Sequence, residues 1–348
     1  MPNSESRSAT NTRARFRRIA RKLPILSQYE ARLSEYEARI AQLETQELHQ
    51  AGPAPMTEFV PAGHFYSAVP DLVEVKARHD DLLRRDPTDV PGVHLNLVRQ
   101  WAVLRELERH LPSMPFGDSP TTDLRYGFRN DAFSYGDGTM LHLMLRSLRP
   151  QHVIEIGSGH SSACTLDTVD LFLDGGCELT FIEPYDELLR SLIREEDEDR
   201  VSILSNPVQD VPVDVFASLE DGDLLFIDST HVSKVGSDVN YLFFDIIPAL
   251  KPGVVVHLHD VFPRFEYPWQ WIEEGRVWQE DYLLRAFLQY NEEYEVLLWP
   301  GLLAQLDQAG VFERFPTMRR NAGGSIYLRR RGGSPITPAA GELGRKVS

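Results

Sequence analysis

The stretch Val153-Ile154-Glu155-Ile156-Gly157-Ser158-Gly159-His160-Ser161-Ser162 decides how this chain is read. Apolar residues interleaved with one acid, then glycines two apart, describe a buried parallel strand breaking into a tight turn. Ser161 to Leu173 follows with the apolar spacing and serine-rich start of a helix. Glycine at 157 and 159 lets backbone approach a ligand where a Cβ would collide. A strand, glycine turn and helix in this order hold a nucleotide-like molecule at the carboxyl edge of a parallel sheet.

Strand and helix patterns alternate on both sides of this unit. The expected strands are 152–156, 179–183, 201–204, 223–228 and 254–259, with two late strands at 294–299 and 324–328. Alternation of this kind predicts an α/β fold with a doubly wound, mostly parallel seven-stranded sheet and an N-terminal helical extension. Upstream, a turn at 130–137 leads into a helix that ends near Leu148. Val93 to Leu111 reads as a core-facing helix on Leu95, Val98, Trp101, Leu104 and Leu107.

The 348 residues are 42% hydrophobic, as in a globular protein, and no apolar run approaches a membrane span. A net charge of −16 argues against a nucleic-acid-binding body, which needs a basic footprint. Cys164 and Cys177 are too few for a disulfide framework and read as reduced thiols of a cytoplasmic protein. The charge is uneven, because residues 1–24 carry seven Arg or Lys and one Glu. This segment is expected as a solvated basic tail, capable at most of peripheral contact with an anionic membrane surface. Residues 25–50 carry a short heptad seam (Leu26, Tyr29, Leu33, Tyr36, Ile40, Leu43), which suits packing on its own domain or a homodimer. The expected organisation is then a helical and loop lid region at 51–122, a catalytic body at 123–330 and a disordered tail at 331–348.

Two ligand classes compete for the glycine turn. The dinucleotide fingerprint G-x-G-x-x-G/A wants a third small residue where Ser162 stands, and does not call for Glu155. A carboxylate at 155 can accept charge-assisted hydrogen bonds from a cationic ligand. Glu183, at the end of the second strand, suits ribose hydroxyls in either reading. Asp228 ends the fourth strand and Asp260 the fifth, so both carboxylates reach the ligand edge beside His231, with His257 and His259 on one strand face. Paired carboxylates can bind a hard divalent ion, and His231 alternatively acts as a general base with an ordinary pKa near neutrality. The stretch 263–271 after the fifth strand is rich in aromatics that could stack on a ring or pack under the following helix, and Arg264 could pair with an anionic ligand or with Glu266.

The pattern Glu155-x-Gly157-x-Gly159 resembles the first motif of class I S-adenosylmethionine-dependent methyltransferases. Residues from about 57 to 330 resemble the bacterial class I enzymes of the "methyltransferase domain 24" type. The matching segments are Gly63–Ser67, Phe133–Asp137, Glu155–Gly159, Phe181–Pro184, Phe226–His231, Gly236–Asn240 and His257–Asp260. The resemblance implies S-adenosylmethionine held by Glu155, Gly157, Ser158, Gly159, Ser161, Glu183 and Asp228, with Asp210 or Gln209 meeting adenine. It implies chemistry over Asp228, His231 and Asp260, with Mg2+ or another divalent cation on Asp228 and Asp260. Related metal-dependent O-methyltransferases carry Asp-Asn or Glu-Asp after strand five, where this chain reads His259-Asp260-Val261. The implied activity is O-methylation of a small-molecule or carbohydrate acceptor. A nicotinamide oxidoreductase and a non-catalytic nucleotide-binding scaffold of a glycan-assembly complex are the alternatives.

Overall fold

In the Val153–Ile156 strand every residue is buried, because helices cover both faces of the sheet it belongs to. The computed structural model describes residues 59–333 apart from Glu198. The expected basic tail at 1–24, heptad helix at 25–50 and tail after residue 333 lie outside the described residues. The chain divides between Ser67 and Ala68. Residues 59–67 carry a local aromatic cluster in which the His64 and Phe65 rings stack at 4.2 Å.

Residues 68–333 build one seven-stranded sheet in the order β3-β2-β1-β4-β5-β7-β6. The strands are β1 (His152–Ile156), β2 (Glu178–Ile182), β3 (Val201–Leu204), β4 (Leu224–Ile227), β5 (Val255–Leu258), β6 (Tyr294–Leu298) and β7 (Ile326–Arg330). The first five are mutually parallel, and β7 lies antiparallel between β5 and β6. The helices that matter for the site are α1 (Leu72–Arg84), α2 (Leu97–Leu107), α3 (Tyr135–Leu148), α4 (His160–Phe172) and α5 (Glu280–Leu288).

The period-two alternation of the strands splits the core into two layers. Leu224 and Phe226 face a cluster with Met140, Met144, Cys164 and Phe181. Leu225 and Ile227 face the opposite cluster with Ile154, Ile156, Val256, Leu258 and Trp299. Phe226 is completely buried, and its truncation to Ala would cost about 3–5 kcal/mol in lost transfer energy and cavity formation.

Two expectations need correction. The boundary at 122–123 is not a physical one, since Leu104, Leu107 and Phe116 share the core with α3, α4 and the sheet. Gln100 of α2 accepts the Trp299 N–H at 2.8 Å, which ties this helix to the end of β6. The amphipathic reading of 93–111 was wrong at Val98, which is 87% exposed. The helix begins only at Leu97, so its inward stripe runs through Gln100, Leu104 and Leu107. Cys164 and Cys177 are free and buried thiols. Among the described residues no helix is long and apolar enough to cross a membrane.

Candidate active site

Parallel pairing brings the carboxyl ends of β1, β4 and β5 to one edge, and two polar clusters form there. The first surrounds the glycine turn. Gly157 sits at φ +78°, and a Cβ at this position would run into the Asp228 carbonyl oxygen. Only glycine lets the β1 turn close against the end of β4. At Gly159 an added Cβ would meet only Leu188 at 3.5 Å, so the turn has open space above it. Ser162 replaces the third small residue of a dinucleotide turn with a polar function. It accepts the Gly159 N–H at 3.0 Å, capping α4, and donates its hydroxyl to Glu155.

Glu155 is completely buried. Its Oε1 accepts hydroxyls from Ser161 and Ser162, both at 2.7 Å, while Oε2 is buried without a partner. Burial outweighs the two serines and pushes this carboxyl up to about 8. A buried acid with one unmatched oxygen is poised for a ligand cation or donor. Ser158 Oγ is likewise buried without a partner. Glu183 stands beside them, its Oε2 accepting the Ser158 N–H at 3.1 Å and its Oε1 the Tyr185 N–H at 2.8 Å. Asp210 is exposed in the short helix after β3, and Gln209 donates its amide to the Gly236 carbonyl at 3.0 Å. Neither makes a hydrogen bond to the glycine turn.

The second cluster gathers Asp228, His231, His259 and Asp260. His231 Nε2 lies 3.4 Å from Asp228 and 3.8 Å from Asp260, and His259 Nδ1 lies 3.5 Å and 3.7 Å from the same two carboxylates. Each imidazole is backed by a further acid. Glu280, at the start of α5, accepts His231 Nδ1–H at 2.7 Å and the Ser229 hydroxyl at 3.0 Å. Asp137 of α3 lies 3.7 Å from His259 Nε2 and accepts from the Gly324 N–H and the Ser325 hydroxyl. The antiparallel insertion of β7 delivers Gly324 and Ser325 to this edge. His231 and Asp260 both have left-handed backbone, φ +60° and +58°, a strained state for non-glycine residues that clusters at functional sites.

The electrostatics follow from this pairing. Burial alone would depress His231, but hydrogen bonds to Asp228 and Glu280 push it up to about 10. Burial likewise opposes charge on His259, yet Asp260, Asp228 and Asp137 hold it well above the ordinary value. Asp228 sits well below the usual carboxylate range, because the two imidazoles outweigh its burial. Asp260 is raised by burial, only partly offset by the histidines. The expectation of an ordinary His231 pKa is therefore corrected: at rest the ring is a cation.

The metal expectation does not fit this donor set. Asp228 and Asp260 converge, but each already faces the imidazoles of His231 and His259 at 3.4–3.8 Å. Among the described residues no group of three His, Cys, Asp or Glu side chains is arranged to hold an ion.

Of the two histidines at the end of β5, His257 within it and His259 just past it, only His259 joins the cluster. His257 is fully buried, flanked by Phe226 at 4.4 Å and Tyr327 at 4.3 Å, and burial lowers it to about 3. It packs as a neutral ring. Asp238 accepts the Thr230 N–H and hydroxyl, both at 2.7 Å, so it braces the loop that presents His231. Arg264 donates to the Arg85 carbonyl and to Gln305 rather than to Glu266. Glu280 and Asp137 were missed as site residues. Asp137 belonged to a quoted motif without a role, and Glu280 is one acid among many until α5 docks it on His231.

The model of a methyltransferase domain matches residues 154–261, from β1 to the end of β5. An uncharacterised protein of Archaeoglobus fulgidus is 31% identical over 166 residues, which are 46% of this chain and 74% of that protein. The chain belongs to the class I methyltransferase-domain family. Similar solved structures include an SAH-bound methyltransferase of Podospora anserina, 18% identical, over 76% of this chain and 99% of that one, TM-score 0.38. Another is an O-methyltransferase of Streptomyces achromogenes involved in tomaymycin synthesis, 15% identical, over 69% and 92%, TM-score 0.36. In this methyltransferase domain the matched segment carries Glu155, Glu183, Asp228, His231, His259 and Asp260, while Asp137 and Glu280 come from outside it.

Proposed function

We propose that this chain transfers the methyl group of S-adenosylmethionine to a hydroxyl oxygen of a small-molecule or carbohydrate acceptor. The observation that carries the reading is Glu155: a buried carboxyl, one oxygen unmatched, beside a turn kept open above Gly159. The donor supplies a methyl group on a sulfonium together with an ammonium, and a buried carboxylate suits such a cation. Glu183, already oriented by two backbone N–H groups, is the partner for ribose hydroxyls.

In the transfer the acceptor O–H and donor S–CH3 bonds break and an O–CH3 bond forms. The acceptor proton goes to His231. Glu280 holds Nδ1–H, which leaves Nε2 to face the edge between Asp228 and Asp260. Nε2 can take that proton only after losing its own, so turnover rises with pH. Positive charge bound at this edge lowers the His231 pKa toward neutrality. Asp228 and Asp260 then stabilise the imidazolium formed. Glu280 is a positioning residue, and the remaining catalysis is placement of oxygen against methyl.

Calorimetric titration of the purified chain with S-adenosylmethionine, with NAD as control, tests the cofactor. The expected result is binding of S-adenosylmethionine and not of NAD; the reverse overturns the reading. Turnover is expected to survive a chelator, because the histidines supply the positive charge; loss on chelation with restoration by Mg2+ would reinstate a metal on Asp228 and Asp260.

A further inference from the structure

Behind the base lies a cavity of ≈ 320 Å³ between α1 and the segment that follows β5. That volume falls within the range of small-molecule sites. Its walls include Tyr267, Trp269, Trp278 and Tyr282, and two of its polar lining residues are His79 and Gln279. Trp278 packs on His231 with ring centroids 4.3 Å apart, and the Gln279 N–H donates to the His231 carbonyl at 3.0 Å. The cavity is thus one residue removed from the proton acceptor.

One polar atom on each of His79 and Gln279 is buried without a partner. His79 is 4% exposed. Its Nε2 lies 2.9 Å from the Tyr267 carbonyl, so in the neutral ring that nitrogen carries the proton and Nδ1 is left as an acceptor. Nδ1 is buried without a partner. Gln279 repeats the arrangement: its amide nitrogen donates to the Val277 carbonyl, and its Oε1 is buried without a partner. Two unmatched acceptors therefore stand among aromatic walls. The cations at the rim are already paired, Arg78 with Glu74 and Arg276 with Glu274, and Arg276 also lies over Trp271.

This combination selects a ligand by its chemistry. A plain hydrocarbon or aromatic ring would fill the walls and leave both acceptors unmet, which is costly for buried groups. A phosphate or carboxylate would set acceptor against acceptor. A hydroxylated ring satisfies both demands, with C–H faces on the indoles and O–H donors toward His79 Nδ1 and Gln279 Oε1.

We propose that this cavity binds a sugar ring of the methyl acceptor, so that the substrate class is a glycoside or glycan precursor rather than a phenol. The proposal rests on the methyl-transfer reading for the role of the ligand, but not for its binding.

The test uses the full chain, titrated with methyl glucopyranoside, mannopyranoside and rhamnopyranoside, with p-cresol as the aromatic control. Tryptophan emission and heat are followed, since Trp269 and Trp278 line the cavity. At least one glycoside is expected to bind and shift the emission, and His79→Phe and Gln279→Leu each to weaken it about tenfold. In turnover with a glycoside acceptor, Gln279→Leu should raise KM and leave kcat within about twofold, the pattern of lost binding alone. Binding of p-cresol with no glycoside, or of no probe at all, overturns the proposal, as does glycoside binding unchanged in both variants. S-adenosylmethionine titration of the same proteins separates the two readings. Cofactor binding without glycoside binding sinks this inference alone, and glycoside binding without cofactor binding sinks the transferase reading and leaves the cavity standing.

Discussion

The glycine turn and the His231 cluster lie at the same sheet edge, each has a buried acid, and the two solve the problem of buried charge in opposite ways. Around His231, acids and imidazoles alternate, so every charge has a counter-charge supplied by the chain itself. Around Glu155 the chain supplies only two serine hydroxyls and leaves one carboxylate oxygen unmatched. Removing a buried charge from water costs several kcal/mol unless a partner repays it. The cluster is repaid on folding, whereas Glu155 stays protonated until a ligand repays it. The difference separates a region that is preorganised for proton transfer from one whose stability is given up for binding.

The sharpest way to break this comparison is at the base. His231→Gln is expected to lower kcat/KM by about 10^2- to 10^4-fold, with S-adenosylmethionine affinity changed less than about threefold. Equal turnover would remove His231 from the chemistry. Glu280→Gln should cost about 10- to 100-fold and move the ascending limb of the pH–rate profile to lower pH, because a partner that raises His231 is gone. An unmoved limb would show that Glu280 only supports the fold.

Glu155→Gln comes next. Glutamine has the shape of the protonated acid, so S-adenosylmethionine affinity should fall about 10- to 100-fold while the Tm of the free protein holds or rises. Above pH 8 the variant should be more stable than the wild type. The folded-state pKa of Glu155 is raised, so its favourable contribution is complete below about 4.5 and lost as pH rises through about 8. A large loss of stability in the variant would mean that the carboxylate is already matched.

The self-compensated cluster makes the complementary prediction. His231 is also raised, so its stabilisation is complete below about 6.5 and lost as pH rises through about 10. Wild-type Tm should drop by roughly 5 °C more than that of His231→Gln across this window. Parallel curves would contradict the pairing. The smallest effect is expected at His257, where a Phe keeps the stack with Phe226 and Tyr327: turnover should stay within about twofold, and any larger loss would give this histidine a role.

How far the sequence reaches depends on whether a residue's role is local. Strand ends are local, and the short apolar runs, each read from its own stretch, placed all seven strands within a residue or two. The glycine turn was legible for the same reason, since Gly157 is required by one backbone angle and one close contact. Roles set by packing were not legible. His257 and His259 look equivalent in sequence, and only the stacking of the β5 neighbours separates a packed ring from an ionised one. The His231 pKa was misjudged because Glu280 arrives from 49 residues away. The aromatic stretch after β5 showed that something is packed there, but not that α1 closes it into a cavity with two unmatched acceptors.

The most direct test of the Glu155 account is proton release on cofactor binding. Heats of S-adenosylmethionine binding at pH 7 would be measured in buffers of different ionisation enthalpy, for wild type and Glu155→Gln. A carboxyl held at about 8 must ionise to meet a cation, so wild type should release close to one proton more than the variant, any release from His231 being common to both. Equal proton release by the two proteins would contradict the claim that Glu155 is kept neutral for its ligand.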